Sequence, residues 1–370
     1  MARKERQKVV FVAWRDLLFA KGRFALMGTV IILITMLVGL LSGLTAGLGK
    51  ESTSAITGLS ADRLAFSQPA EGKSVSFTDS KVTESMWQQW SSVDGVDRAD
   101  PLGITTTKAE AGEHSAAISA FGVQQGSALA PESDRIVPGT AVLSTSAADE
   151  LDVSTGDDFS LGGQRLTVAA IDGDASYSHT PVIFMDLAAW QTLTGGSSTG
   201  PLSATVIGLT TSGDTADLAA ADTQIGTDTV TTSDAKSAIG SYTSENGSLQ
   251  LMRAFMFAIS ALVIGAFFTV WTIQRTGDVA VLKALGASTG YLLRDALGQA
   301  VVLLVAGTAI GTALAAGVGA LVGGTVPFVL DIGTVALPAL VIIILGAMGA
   351  GLSINRITSV DPLTALGSAR

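Results

Sequence analysis

Four long stretches of this chain contain no charged side chain, and they limit the structures that it can form. The stretches are residues 25–48, 254–273, 296–330 and 332–355. A helix needs about 20 consecutive apolar residues to cross a bilayer, so each stretch is long enough. The first also exceeds the apolar core of a secretory signal peptide, which spans about 7–15 residues. With a composition that is 48% hydrophobic and only 15% charged, the pattern predicts four transmembrane helices.

Basic residues concentrate before the first apolar stretch and in the loop that precedes the third. The N-terminal group consists of Arg3, Lys4, Arg6, Lys8, Arg15, Lys21 and Arg23. The loop adds Arg275, Lys283 and Arg294, and the tail adds Arg356 and Arg370. Basic residues are retained on the cytoplasmic side of a membrane. We therefore expect a multi-pass protein of the cell membrane with both termini and this loop in the cytoplasm.

This orientation divides the chain into nine segments. In chain order they are a cytoplasmic amphipathic lead-in helix (1–24), a first transmembrane helix (25–48), an extracellular domain (49–248), a second transmembrane helix (249–273), a cytoplasmic coupling helix (274–295), a third transmembrane helix (296–324), a short outer loop (325–333), a fourth transmembrane helix (334–355) and a cytoplasmic tail (356–370). The predicted fold is an α-helical membrane protein with a large domain inserted between helices 1 and 2.

The predicted extracellular domain is strongly acidic. Residues 49–248 hold nine basic and 26 acidic side chains, a net charge of −17. This acidity favours solubility, and no basic patch indicates a nucleic-acid partner. The chain has no cysteine, which excludes disulfides, zinc–thiolate sites and iron–sulfur clusters. A domain of about 200 residues must therefore be stabilised by its own core, which is feasible at that size.

Short β-like and helical patterns alternate along this domain and predict a mixed α+β fold. Residues 83–96 are typical of a helix capped by Thr83. Residues 141–171 predict a strand, a short helix, a turn and a hairpin whose turn is "LGGQ". Residues 180–195 predict a strand that leads into a helix capped by Asp186. The Ser/Thr-rich "TGGSSTGP", residues 194–201, is predicted to be a flexible loop.

The sequence offers no catalytic or metal site. His114 and His179 are the only histidines, and neither lies in an H-E-x-x-H motif. No nucleophile elbow is predicted, because the two G-x-S-x-G matches, residues 196–200 and 286–290, do not lie between a predicted strand and a helix. The stretch "GLTAGLGKES", residues 43–52, superficially resembles a phosphate-binding loop, but Glu51 stands where Ser or Thr is required. We predict no catalytic residue, no metal, no nucleotide site and no intrinsic cofactor, which leaves a membrane enzyme as the least favoured class.

The predicted spans carry glycines rather than charges. The absence of charge within them argues against a transporter driven by protons or ions, which usually carries acidic groups inside the membrane. Gly39, Gly43 and Gly47 recur every four residues in the outer half of the first span. Such spacing lets two helices approach closely. We interpret the three glycines as a packed helix contact, with a second copy of the chain as the expected partner.

The loop "QRTGDVAVLKALGAST", residues 274–289, has the pattern of a rigid helix between two spans. Asp278 to Leu285 has helical propensity, and its apolar residues share one face. Gly286 supplies a left-handed stop, and Ser288 can cap the next helix. A short helix fixed to two spans can transmit force, which a flexible connection cannot.

Three segments resemble the FtsX/MacB-like (type VII) family of ABC transporter permeases. "RTGDVAVLKALGAS" is similar to the signature that follows the family's second span, with Asp278 where Glu is commonest. "ITSVDPLTALG", residues 357–367, resembles the family's C-terminal tail. Residues 11–26 resemble its amphipathic lead-in, and Val10, Trp14, Leu17 and Leu18 form one apolar face there. The resemblance implies a MacB-like extracellular domain.

This resemblance also implies a machine of several subunits. Two copies of the chain would form a homodimer, and two copies of a separate ABC ATPase would bind ATP and drive movement of the spans and outer domains. The resemblance assigns the loop to docking with that ATPase. The residues expected to take part are Arg275, Asp278, Val279, Leu282 and Lys283.

One further segment suggests the cargo. "DASYSHTPVIFMDLAAW", residues 174–190, and the compact size of the chain are similar to the permeases of haem-efflux pumps in Gram-positive bacteria. Haem would then be the transported substrate, taken laterally from the bilayer into a dimer cleft. The candidate haem-binding residues are Glu51, Tyr177, His179, Tyr242, Met252, Arg253 and Met256. Met, Glu and Tyr suit an exporter as weak axial ligands.

Alternative interpretations of these residues and of the function stay open. Met252 and Met256 could pack against lipid or the core, Arg253 could reach the membrane surface, and Tyr177 and His179 could be ordinary buried polar residues. The cargo could instead be a peptide, an antibiotic or a lipid-like molecule. The chain could also be a transmembrane regulator that activates an extracellular hydrolase, in which case nothing would be transported.

Overall fold

The structure, a computed structural model, describes residues 21–196, 201–212, 217–323 and 326–358, and of residues 21–24, 278–280, 284, 289, 293 and 354–358 it describes the backbone alone. The lead-in helix before residue 21, the centre of the predicted flexible loop at 194–201, and the tail from residue 359 lie outside the described residues. The chain divides into two compact units. We call Leu48–Gly247 the outer unit, and the residues up to Gly47 and from Ser248 onward the membrane unit.

The described residues contain the following α-helices, numbered in chain order. They are α1 (Lys21–Thr57), α2 (Glu84–Trp90), α3 (Thr145–Leu151), α4 (Leu187–Leu193), α5 (Leu218–Ile225), α6 (Gly240–Gln274), α7 (Thr276–Ala284), α8 (Thr289–Val322) and α9 (Ile332–Thr358). In the described ranges α1, α6, α8 and α9 are the four helices long and apolar enough to cross a membrane. This confirms the predicted class of four spans with a mixed α+β domain between the first two.

All four of these helices run beyond the predicted spans at one end or both, and α1 and α6 extend furthest. α1 continues from the apolar stretch to Thr57, and α6 begins at Gly240, ahead of the predicted start at residue 249. Most of the residues added to α1 are polar in sequence, yet Ser52 and Thr53 are buried, as is the apolar Ile56. The helix therefore continues beyond the apolar stretch because its next residues pack against the rest of the outer unit.

The outer unit is built on a large, mostly antiparallel sheet. Its strands are β1 (Arg63–Ser67), β2 (Val82–Thr83), β3 (Val96–Ala111), β4 (His114–Val123), β5 (Thr140–Leu143), β6 (Asp158–Leu161), β7 (Gln164–Ile171), β8 (Ser176–Tyr177), β9 (Thr180–Asp186), β10 (Ser203–Ala204), β11 (Val206–Thr211) and β12 (Thr227–Thr231). The order is β12-β1-β11-β3-β4-β9-β5-β7-β6, and β6 also pairs with the end of β3. That last pairing closes the strands from β3 to β6 into a circuit, while β8 pairs with β9, and β2 with β10.

Turn and cap residues produce the local elements that the sequence predicted. Gly162 and Gly163 both have positive φ in the hairpin between β6 and β7. Asp186 accepts hydrogen bonds from the first backbone amides of α4, and its helix follows β9 as predicted. The prediction for residues 83–96 is too long, because α2 ends at Trp90. Trp90 is fully buried, and its indole donates to Thr227 at 3.2 Å.

Side chains from both faces of the sheet form two separate apolar cores in the outer unit. One core contains Trp87, Trp90 and Trp190 among its larger members. The other contains Phe66 and Phe121, and includes Ala55 and Ile56 from the outer end of α1. The outer end of α1 is therefore part of the outer unit's core and is held by apolar burial.

In the membrane unit, small residues of α8 allow α1 to lie close to it. A Cβ at Gly307 would lie 2.8 Å from Ile31, and one at Gly311 would lie 2.6 Å from the carbonyl oxygen of Ile32. Ile264 and Leu304 belong to the same buried cluster as Ile31. Close approach through glycine is the usual basis of helix association in a bilayer, where apolar burial provides no driving force.

Candidate functional site at the outer helix ends and the cytoplasmic loop

The glycine face of α1 packs against its own chain, which corrects the predicted dimer contact at Gly39, Gly43 and Gly47. A Cβ at Gly39 would lie 3.0 Å from Ala315. A Cβ at Gly43 would overlap the ring of Phe328, and one at Gly47 would overlap the carbonyl of Pro327. The backbone amide of Val329 also donates to the carbonyl of Gly43 at 3.1 Å. The outer loop thus occupies the space that a second copy was expected to fill.

The N-terminal half of α6 presents an exposed apolar stripe. Met252, Phe255, Ile259 and Leu262 are respectively 49%, 60%, 58% and 73% exposed, and their 3-4-3 spacing places them on one face of the helix. Met256 does not share this face, because it packs against the buried cluster of the membrane unit. Of the two candidate haem-binding methionines, Met252 is therefore exposed on the stripe, and Met256 takes the alternative of packing against the core. Arg253 is half-buried.

At the outer end of α1, Glu51 lies close to His179 in the hairpin between β8 and β9. The distance from Nδ1 of His179 to the Glu51 carboxylate is 3.7 Å. Nε2 of the same ring lies 2.6 Å from the carboxylate of Glu245, a residue of α6. A Cβ at Gly49 would lie 3.9 Å from the ring of Tyr242, so α1 and α6 are adjacent at this level of the outer unit.

The hairpin tip is itself bonded to both helices. Ser178 has a φ of +51° and His179 a φ of +64°, a left-handed conformation that is uncommon outside glycine. The amide of Ser178 donates to the carbonyl of Ser52 in α1 at 3.0 Å. The hydroxyls of Ser178 and Ser241, which lies in α6, are 2.7 Å apart. Ser178 is therefore hydrogen-bonded to α1 through its backbone and to α6 through its side chain.

Tyr177 points away from this cluster, which corrects its predicted place among the haem contacts. It is buried, with its ring edge-on to Phe77 and Phe121 at centroid distances of 5.8 and 5.7 Å. Burial raises the pKa of the Tyr177 phenol well above its usual range. A phenolate is the form that binds ferric iron, so this residue is unsuited to that role and belongs to the core.

The charge around His179 is negative. Glu51 and Glu245 both face its ring. Burial and, second to it, the nearby Glu51 carboxylate raise the pKa of Glu150 in α3. The described residues contain no group of three acidic or histidine side chains arranged to bind a metal ion. The arrangement suits a contact between elements of this chain rather than a ligand site, because a dianionic ligand such as haem would be repelled here.

The loop between the second and third spans is helical, as predicted. α7 covers Thr276–Ala284, and Gly286 follows with a φ of +95°. Leu282 is 43% exposed and Leu285 79% exposed, which gives the loop an apolar surface for a partner. Ser288 caps α8 by accepting from the amide of Tyr291 at 3.3 Å. The side chains of Asp278 and Val279 lie outside the described residues, and Lys283 is half-buried.

Arg275 contacts the third span rather than projecting from the loop, contrary to its predicted role in docking. Its guanidinium donates to the side-chain oxygen of Gln299 at 2.8 Å and lies over the ring of Trp271, 5.1 Å from the centroid. Gln299 in turn donates to Asp295 at 3.0 Å. This network joins the end of α6 to α8. No sequence pattern pointed to Gln299, Asp295 or Glu245.

Two family models match the chain. The model described as "MacB-like periplasmic core domain" matches residues 24–225, and the one described as "FtsX-like permease C-terminal" matches residues 251–362. The first covers more than half of the chain, and the two matches fall on either side of the start of the second span.

Similar proteins extend over nearly the whole length. The provisionally named hemin transport system permease protein HrtB of Staphylococcus haemolyticus is 26% identical over 368 residues, which cover 96% of this chain and 99% of that protein. Its counterpart in Staphylococcus epidermidis is 26% identical over 361 residues, which cover 97% and 99%. An uncharacterized ABC transporter permease of Mycobacterium tuberculosis is 25% identical over 369 residues, with the same coverage of 97% and 99%.

Proposed function

The chain belongs to the MacB-like and FtsX-like family of ABC transporter permeases, and from this premise we propose that it is the permease subunit of an exporter that removes haem from the membrane. Membership in the family implies a membrane context and an ATPase partner. The observation that carries the choice of haem is the similarity to the two staphylococcal proteins along almost their entire length.

The proposed assembly contains two copies of the chain and two ATPase subunits, with the termini and α7 in the cytoplasm. Exposed Leu282 and Leu285 form the apolar part of the docking surface. ATP binding and hydrolysis by the partner would displace α7, and α6 and α8 on either side of it would move with it. The Arg275–Gln299 bond supports this transmission, because it fixes the end of α6 to α8.

Within the membrane unit, the exposed stripe on α6 is the proposed surface for haem. Haem is a flat apolar macrocycle with two carboxylates, so it partitions into a bilayer and can approach such a stripe laterally. Met252 and Phe255 supply apolar contact. The thioether of Met252 is a weak axial ligand, which suits release of the haem. Arg253 supplies a charge for a propionate. In the outer unit, Tyr242 stays a predicted contact that requires its own test, whereas the Glu51 carboxylate faces His179 and disfavours an anionic ligand there.

A haem titration of the full permease–ATPase complex tests this proposal. Met252→Ala is the informative variant, and Met256→Ala is its matched control, because Met256 packs inward on the same helix. We expect haem to stimulate ATP hydrolysis, and we expect the Soret spectrum of the bound haem to change in Met252→Ala but not in Met256→Ala. An identical spectrum in both variants removes Met252 as a ligand.

The cargo itself is tested by the wild-type complex. A complex that neither binds haem nor hydrolyses ATP faster in its presence would overturn haem export and favour the alternatives, a peptide, antibiotic or lipid-like cargo, or regulation of an extracellular hydrolase. Stimulation of ATPase activity by one of those compounds would then identify the cargo class, whereas a regulator would respond to none of them.

A further inference from the structure

We propose that His179 is a positioning residue that ties the outer ends of α1 and α6 together and makes them move as one with the β8–β9 hairpin. Its ring nitrogens face Glu51 of α1 at 3.7 Å and Glu245 of α6 at 2.6 Å. All three residues belong to the outer unit. The tie acts within the proposed export cycle, on which this inference rests.

Histidine is suited to this place by its two ring nitrogens. When the ring is protonated both nitrogens are donors, so one side chain can serve two carboxylates on opposite sides. The two carboxylates belong to different helices, and without the ring between them they would repel each other. The Glu150 carboxylate also interacts electrostatically with Glu51, which adds to the negative charge of this region.

The backbone conformation at the tip indicates that the contact is specifically held. Ser178 and His179 are consecutive non-glycine residues with positive φ, and strain of this kind persists where the surrounding contacts determine it. The Ser178 amide donates to the Ser52 carbonyl at 3.0 Å, and the Ser178 hydroxyl lies 2.7 Å from the hydroxyl of Ser241. The tip is thus bonded to the same two helices by its backbone and by two side chains.

The tie has a direct consequence for transport. α1 and α6 are both unbroken helices that continue from the outer unit into apolar spans. The hairpin leads into β9, a strand of the closed circuit. A displacement of either helix would therefore pass to the other helix and to the sheet through His179. Removal of the imidazole should leave the outer unit folded, since the His179 side chain is 28% exposed.

His179→Ala in the permease–ATPase complex, reconstituted in vesicles, tests the tie. The chain supplies a matched control in His114→Ala, because His114 is an exposed histidine of the same unit near a single carboxylate, that of Asp152 at 3.9 Å. We expect His179→Ala to keep its ATPase rate and its haem spectrum but to export about fivefold less haem per ATP, in the range of typical coupling energies. We expect His179→Gln, whose amide can still donate to Glu245, to restore part of the loss. Equal export per ATP in His179→Ala and wild type would overturn the tie.

A second measurement tests the contact of His179 with α1 and α6 independently of the cargo. The chain has no native cysteine, so thiols can be placed at Gly49 and Tyr242, which adjoin each other on α1 and α6. Crosslinking of Gly49→Cys/Tyr242→Cys by a short thiol reagent should be slower in the His179→Ala background, and unchanged in the His114→Ala background. Unchanged crosslinking in His179→Ala would overturn the tie. A failure of haem export in the wild type would overturn only the proposed cargo.

Discussion

Gly103 and Gly122 lie directly opposite each other on β3 and β4, and the indole ring of Trp190 lies over the space left by their missing side chains. Trp190 belongs to α4 and is almost fully buried. A Cβ at Gly122 would lie 2.5 Å from the Cβ of Trp190, and a Cβ at Gly103 would overlap the indole ring. The cross-strand glycine pair therefore forms the surface on which α4 packs.

Gly103→Ala should destabilise the outer unit by about 1–3 kcal/mol, because an overpacked core must shift a large ring or the backbone. The measurement is thermal or chemical unfolding of the full chain in detergent. Gly247→Ala provides the control, since nothing lies within 4 Å of the added Cβ in α6 and alanine is favoured in a helix. Equal unfolding midpoints for the two variants would show that packing of the Trp190 indole does not require glycine at position 103.

The membrane part of the fold was predictable because the bilayer imposes a simple requirement. A span must be long, apolar and helical, so uncharged stretches identify it from sequence alone. The ends of α1 and α6 were not predictable, because they depend on packing in the outer unit. Ser52 and Thr53 are polar in sequence but buried in the structure, and no local pattern indicates that.

The candidate site was predictable only where its residues lie close along the chain. Gly286 and Ser288 were recognised because stop and cap signals are local. Glu245 was missed because it is 66 residues from His179 in sequence, and only the packing of α6 against the hairpin brings the two together. Arg275 was assigned to the ATPase for the same reason, since its partner Gln299 lies 24 residues away in another span.

Tyr177 should ionise later than an ordinary tyrosine in the folded protein. Burial raises the pKa of its phenol, so the stability that this group contributes is fully present below the pKa of an unfolded tyrosine, about 10. That contribution is lost as pH rises through the folded pKa. An alkaline absorbance titration should therefore show a late tyrosinate step that belongs to Tyr177.

The variant Tyr177→Phe identifies that step. It should remove the late component and keep the protein folded, because its ring still packs against Phe77 and Phe121. Tyr242→Phe serves as the control and should leave the late component in place. A titration of Tyr177→Phe that retains the late step would assign it to another residue and would contradict the core position of Tyr177.

Leu282→Glu should weaken binding of the ATPase subunit by at least about tenfold, as loss of a central apolar contact in an interface does. Leu282 is 43% exposed on α7, so a charge there is tolerated by the isolated permease but not by an apolar groove on a partner. The measurement is copurification of the two subunits, followed by the ATPase rate. Leu282→Ala should have a smaller effect. Undiminished binding of Leu282→Glu would place the docking surface elsewhere.

Asp158→Asn should lower the thermal stability of the outer unit at neutral pH, and the difference should vanish in acid. Hydrogen bonds from Thr167 at 2.7 Å and from Arg165 at 2.8 Å stabilise the carboxylate, and they lower the pKa of Asp158, the Thr167 bond most. Since the folded pKa lies below the unfolded value of about 4, the stabilisation is present above that value and is lost as pH falls through the folded pKa. Melting temperatures of wild type and Asp158→Asn should therefore converge in strong acid. A constant difference across the pH range would mean that the asparagine disturbs packing in the β6–β7 hairpin, and that the carboxylate charge contributes nothing.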